Sequence, residues 1–245
     1  MTTAVAGLIL SLIALPSPSL VERGDEAFVE IRYPDATRDY IAALNGSSDS
    51  AKVLWRLARV YICQADISLP DAKLGLYRQA EDFAHRCIEV DSTIPEGHTW
   101  RAAALGNIAM FEGGKTKVQL CYAIKRELDC SISLNGGDDI TYSILGSYYM
   151  ALGNVSWFER RLAAIFLGTL PEGGYAESEA ALRKAIAIAP TVIRHHFELG
   201  VLYEQMDRMR EAVEELRLVG SLPVRVASDQ RTQEDAARLA VQLTQ

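Results

Sequence analysis

The sequence predicts an all-α protein built as a stacked array of helix pairs, on three observations. First, one motif occurs twice in the same register. Leu145-Gly146-x-x-Tyr149 leads to Ala181-Leu182-Arg183-Lys184-Ala185 and Pro190, and Leu199-Gly200-x-x-Tyr203 leads to Ala212-x-x-x-Leu216 and Pro223. Second, apolar residues recur at i, i+3, i+4 and i+7, the spacing of one helix face. Third, the chain has 245 residues, of which 49% are hydrophobic, enough for one continuous core.

Each motif residue has a steric task. Glycine admits a close neighbouring helix, tyrosine and leucine fill the layer between helices, and proline ends the second helix. The order Leu-Gly-x-x-Tyr, Ala-x-x-x-Leu, Pro is the tetratricopeptide signature, with a period of about 34 residues. The second copy keeps that spacing. The first carries an extra helix's worth of residues, Asn154–Gly174, between its halves.

Residues 1–19 contain the apolar run Ala4–Leu15, followed by Pro16-Ser17-Pro18-Ser19. The run is short for a bilayer span and suits a signal-peptide core. No Lys or Arg precedes it and no clear small-x-small cleavage site follows, so signal, anchor and flexible start stay open. Residues 20–245 form the repeat domain. A degenerate first pair covers Leu20–Ile31 and Asp35–Leu44, restarted by Pro34 and closed by Asn45-Gly46-Ser47-Ser48-Asp49. The second pair is Ser50–Cys63, with Leu54, Leu57, Ala58 and Tyr61 as its stripe, and Leu74–Val90, with Pro70 in the connection. Pro95 and Gly97 punctuate before the third, Trp100–Phe111 and Val118–Leu134. The fourth is Ile140–Leu152 and Tyr175–Ala189, around the insertion, and the fifth Ile193–Gln205 and Met209–Val219. A closing helix over Thr232–Leu243 opens on a capping-box pattern, Thr232-x-x-Asp235. The expected architecture is a tetratricopeptide-like superhelix of about five pairs, with an inserted helix and a C-terminal cap.

The chain resembles the regulator of microtubule dynamics family. Trp55-Arg56-Leu57-Ala58-Arg59, His98-x-Trp100, Glu112-Gly113-x-Lys115, Cys130-x-x-x-Leu134-Asn135, Ser156-Trp157-Phe158-Glu159-Arg160-Arg161 and Leu222-Pro223 fall in that family's order. The resemblance covers about Val21 to Leu243 and places the extra helix in the same repeat. It implies a right-handed, non-enzymatic tetratricopeptide protein. Its members associate with microtubules and spindle poles, some are anchored at mitochondria, and one branch is tied to membrane contact sites and lipid binding. The short apolar start and Gly136 in place of Pro depart from the family pattern. An exported bacterial tetratricopeptide adaptor is the alternative reading.

Catalysis is disfavoured. Gly114-Lys115-Thr116 meets only the loosest phosphate-loop pattern, without the preceding strand that loop requires. His195 and His196 diverge by about 100° on a helix, so they do not share a metal easily, and packing is the better role for them. Asp138-Asp139 reads as the cap of the next helix. The four cysteines, Cys63, Cys87, Cys121 and Cys130, lack zinc spacing and read as small buried side chains. No cofactor or metal is expected. The net charge of −7 disfavours broad nucleic-acid binding.

The better candidate surface is the concave face lined by first helices. The position after each opening aromatic holds Arg56, Arg101, Ser143 and Phe197, with Arg59 and Arg194 at the margin. Converging arginines suit a carboxylate or phosphate through forked hydrogen bonds, whether on a peptide, a protein or an anionic lipid; pairing with local acids is the competing reading. On the inserted helix, Trp157 plugs the core while Arg160 and Arg161 face outward, or the group binds a partner. Lys115, Lys117, Lys125 and Arg126 form a second basic cluster, read as a solvated face.

Overall fold

In the computed structural model, which describes residues 18–46, 50–156, 159–160, 163 and 169–244, local signals set most helix ends. The helices are α1 (Leu20–Val29), α2 (Tyr33–Gly46), α3 (Ser50–Ile67), α4 (Pro70–Val90), α5 (Pro95–Glu112), α6 (Gly114–Leu134), α7 (Asp139–Gly153), α8 (Tyr175–Ile188), α9 (Ile193–Gln205), α10 (Met209–Val219) and α11 (Ser228–Gln242). Ser19 and Glu22 form a capping box at α1 that the sequence reading did not identify, and Asp138, the expected cap, accepts the Thr141 N–H at α7.

Three residues lying just before expected helices prove to be helix starts. Pro70 and Pro95 open α4 and α5, because a first-turn residue needs no N–H donor. Gly114 opens α6 directly after Gly113, whose φ of 91° makes the turn. The capping box expected at Thr232 is absent. Thr232 lies inside α11 and donates to the Ser228 carbonyl. Asp229 instead accepts the Arg225 and Val226 amides at 2.7 and 3.0 Å and fixes the entry to α11.

Consecutive helices pack in antiparallel pairs: α1/α2, α3/α4, α5/α6, α7/α8 and α9/α10, with α11 as cap. The doubled motif is one contact made twice. A Cβ at Gly146 would lie 2.5 Å from Leu182 Cγ, and one at Gly200 would lie 2.8 Å from Leu216 Cγ. At the insertion, Ser156 and Glu159 exchange capping hydrogen bonds, so a helix begins where the extra residues predict one. Trp157, Phe158, Arg161, Leu162 and residues 164–168 lie outside the described residues.

First helices of successive pairs also pack on one another: α3 on α5, α5 on α7, α7 on α9 and α9 on α11. They form the inner layer of the curve. The curve closes on itself. The cap helix α11 packs on α3, the Ala227 N–H donates to the Tyr33 hydroxyl at 3.0 Å, and Ala227 packs against the core that Ala27, Phe28 and Tyr33 of the first pair share with Val60 of α3. No helix among the described residues is long and apolar enough to cross a membrane.

Candidate functional site

On α3, Arg56, Arg59, Cys63 and Asp66 stand at i, i+3, i+7 and i+10, one stripe of the helix. Their chemistry separates into two places. At the first, Asp25 of α1 accepts Arg56 Nε at 2.9 and 3.1 Å and the Tyr40 hydroxyl at 2.6 Å. Arg59 Nη2 lies 3.5 Å from the same carboxylate. Burial opposes the charge on Asp25, but these donors outweigh it and hold the carboxyl below its usual range. The Arg59 guanidinium also stacks on Phe28, 3.7 Å from the ring centroid. Arg56 is thereby engaged in holding α3 to α1.

Farther along the stripe, Cys63 feels the charges of two cationic side chains, Arg59 on α3 and Arg194 on α9. Burial dominates nonetheless and pushes the thiol up to about 12, with Asp66 adding to the effect. Asp66 accepts the Tyr77 hydroxyl at 2.9 Å. Burial raises its carboxyl above the ordinary range, against the fields of Arg194 and Lys73 and the Tyr77 hydrogen bond. Arg194 is half-exposed, and its own acid, Glu198, stands at 3.9 Å, so its donors are largely uncommitted.

The other predicted positions are dispersed. Arg101 donates to Glu81 at 3.0 Å and Glu127 at 3.2 Å, tying α4, α5 and α6 together. Ser143 is fully buried, and its hydroxyl has no hydrogen-bond partner among the described residues. Phe197 packs against the cluster joining α9, α10 and α11. Arg160 turns inward and donates to the carbonyls of Leu152, Pro171 and Gly173 at 2.6, 3.3 and 3.3 Å. Trp157 and Arg161 lie outside the described residues. Lys125 pairs with Asp129, and Arg126 with Glu127.

His98, His195 and His196 are buried, but not as inert packing. His98 places Nδ1 2.6 Å from a Glu127 oxygen and Nε2 3.0 Å from the Ser92 carbonyl. His196 repeats this with Glu215 at 2.7 Å and the Pro190 carbonyl at 2.9 Å. Both nitrogens of each ring face acceptors, and neutral imidazole has only one N–H to offer. Only the charged ring can donate to both, and the hydrogen bond each ring gives its glutamate raises the ring's pKa despite burial. His195 meets Asp139 at 2.8 Å.

Sequence reading missed Asp25, Cys63 and Asp66. The polar stripe of α3 was the available signal, overshadowed by the apolar stripe on the same helix. Asp25 carries no such signal, because only the folded pairing of α1 with α3 makes it an arginine partner.

Paired helices, an inner layer of first helices and glycine–leucine contacts define a helical-repeat scaffold of the tetratricopeptide type. The fold matches TTC0263, a thermophilic tetratricopeptide protein of Thermus thermophilus, with a TM-score of 0.65 at 19% identity over 91% of this chain and 97% of that one. Yeast Tom70 matches with a TM-score of 0.57 at 13% identity over 92% of this chain and 39% of that one. The chain belongs to the family described as regulator of microtubule dynamics protein 1-3, whose model matches residues 20–244. Regulator of microtubule dynamics protein 1 of Bos taurus is 27% identical over 195 residues, 78% of this chain and 62% of the relative. Human regulator of microtubule dynamics protein 2 is 23% identical over 197 residues, 80% of this chain and 48% of the relative. The chain thus spans less than two thirds of the length of these relatives.

Proposed function

We propose that the chain is a non-enzymatic binding scaffold that holds an acidic segment of a protein partner on its concave face, between α3 and α9. The supporting observation is Arg194, half-exposed on α9 with Glu198 standing 3.9 Å away, while both Arg194 and Arg59 act electrostatically on Cys63 of α3. Arg56 and Arg101, committed to Asp25, Glu81 and Glu127, serve the scaffold in this reading. The relatives are named for regulating microtubule dynamics, and microtubules are the partner this reading puts first.

The test is co-sedimentation with microtubules polymerised from purified tubulin, with polyglutamate as a soluble competitor. Arg194→Gln should weaken binding about tenfold, the loss of one charge-assisted hydrogen bond, with an unchanged melting temperature. Undiminished binding by the folded variant would sink the α3–α9 site. Failure of the wild type to bind either probe would sink the acidic-partner reading.

A further inference from the structure

Two neighbouring turns at one edge of the array expose large apolar side chains. Ile67 and Leu69, between α3 and α4, are 54% and 79% exposed, and Met110 and Phe111, at the end of α5, are 61% and 47% exposed. Ala65 and Ile108, each two residues upstream, share one core cluster, and Arg78 of α4 reaches Glu112 of α5 at 2.7 Å, so the two turns lie side by side. Single exposed apolar residues are ordinary, but four on adjoining turns mark a contact surface.

The chain carries −7, so two copies of it repel over most approaches. This edge differs. Its turns and the helix ends they join hold Asp66, Asp71 and Glu112 against Lys73, Lys115 and Lys117, and Arg78 reaches in from α4. Acids and bases therefore nearly cancel. Several are already engaged. Asp66 accepts the Tyr77 hydroxyl, Lys73 donates to the Asp66 carbonyl at 3.2 Å, and Glu112 accepts from Arg78 and the Thr116 hydroxyl. Asp71 on the α3–α4 side, and Lys115 and Lys117 on the α5–α6 side, are exposed and hold no ion pair among the described residues.

We propose that this edge pairs with the same edge of a second copy of the chain across a two-fold axis. The four apolar tips of each copy bury against those of the other, and Asp71 of each copy faces Lys115 and Lys117 of the other. The uncommitted charge is negative on one turn and positive on its neighbour. A two-fold rotation brings each turn against the unlike turn of the second copy, so the surface is complementary to itself. Such a contact closes at two copies. Four tips make a small patch, and the dimer is accordingly weak and concentration-dependent. The contact uses neither Arg59, Cys63 nor Arg194, so it stands or falls without the α3–α9 site.

The test is sedimentation equilibrium of the full chain, with reductant, across a concentration series. The wild-type mass should rise from 27.0 kDa and level off at twice that value; a mass that stays at the monomer or climbs past the dimer overturns the proposal. Asp71→Lys in one variant, and Lys115→Glu with Lys117→Glu in another, set like charges against each other and should each weaken dimerisation at least about tenfold. Mixed in equal amounts, these two variants offer opposite charges at both contacts, and the mixture should dimerise as the wild type does. A mixture that stays monomeric overturns the proposal, as does either variant dimerising alone with wild-type affinity. Leu69→Ser with Phe111→Ser should also weaken dimerisation at least about tenfold, at an unchanged melting temperature. All variants keep the apolar run Ala4–Leu15, so self-association carried by that run would survive in every one of them and count against this edge.

Discussion

His98 and His196 each join a first-helix ring to a second-helix carboxylate and to the carbonyl of the preceding connection. Their folded pKa values lie above the ordinary imidazole value of ~6.5. The stabilisation is complete below that pH, where the unfolded ring is also charged, and is lost as pH rises through the raised folded value. Arg101 opposes the charge on His98 without cancelling it. Glu127 acts in the other direction. Burial resists its charge, but His98, Arg126 and Arg101 hold it at about 2, so its contribution is complete above ~4.3 and lost as pH falls toward 2. Urea midpoints should therefore peak between roughly pH 5 and 6.5 and decline on both sides. His98→Gln with His196→Gln should flatten the alkaline decline; an undiminished decline in that variant refutes the imidazolium assignment. At this scale the sequence was half legible. His196 was expected to pack in its repeat, and its charge depends on Glu215, 19 residues away on the next helix. Arg56 and Arg101 were expected to line the inner face, but the acids that occupy them come from other helices.

At the scale of elements, the motif glycines make opposite predictions from their neighbours. Gly200→Ala places a methyl against Leu216 and should cost about 1–3 kcal/mol in denaturant unfolding, as overpacking does. Gly106, inside α5, has nothing within 4 Å of an added Cβ, so Gly106→Ala should stabilise by about 0.5–1 kcal/mol through backbone entropy. Two changes of equal sign would overturn this steric reading. Arg160→Ala removes three hydrogen bonds to carbonyls and should speed proteolysis between α7 and α8 severalfold, with cleavage sites mapped by mass spectrometry. Helix number and pairing were legible because periodicity and glycine spacing are local properties. The starts of α4, α5 and α6 were read late because Pro70, Pro95 and Gly114 signal a helix entry as readily as a break. The entry to α11 was misread because Asp229 acts on the amides preceding it, a geometry that Thr232-x-x-Asp235 does not encode.

Across the whole molecule, the contact between the first pair and the C-terminal cap sets this array apart from an open solenoid, in which each repeat answers only to its neighbours. A chain stopped at Val226 should lose amide hydrogen-exchange protection in α1 and α2 as well as in α9 and α10; protection of α1 and α2 at the full-length level would show that closure contributes nothing to them. Nothing in the repeat motif announces closure, because it depends on curvature accumulated over the array. It also orders the life of a nascent chain. Contacts within helix pairs are local and form early, whereas Tyr33 and Ala227 are separated by 194 residues, and non-local pairing is slow. As the ribosome works from the N-terminus, the first pair emerges long before its C-terminal neighbour has been synthesised. Until Ala227 arrives, Tyr33 and the apolar surface around it wait uncovered, and that interval is when a chaperone has most to offer this protein.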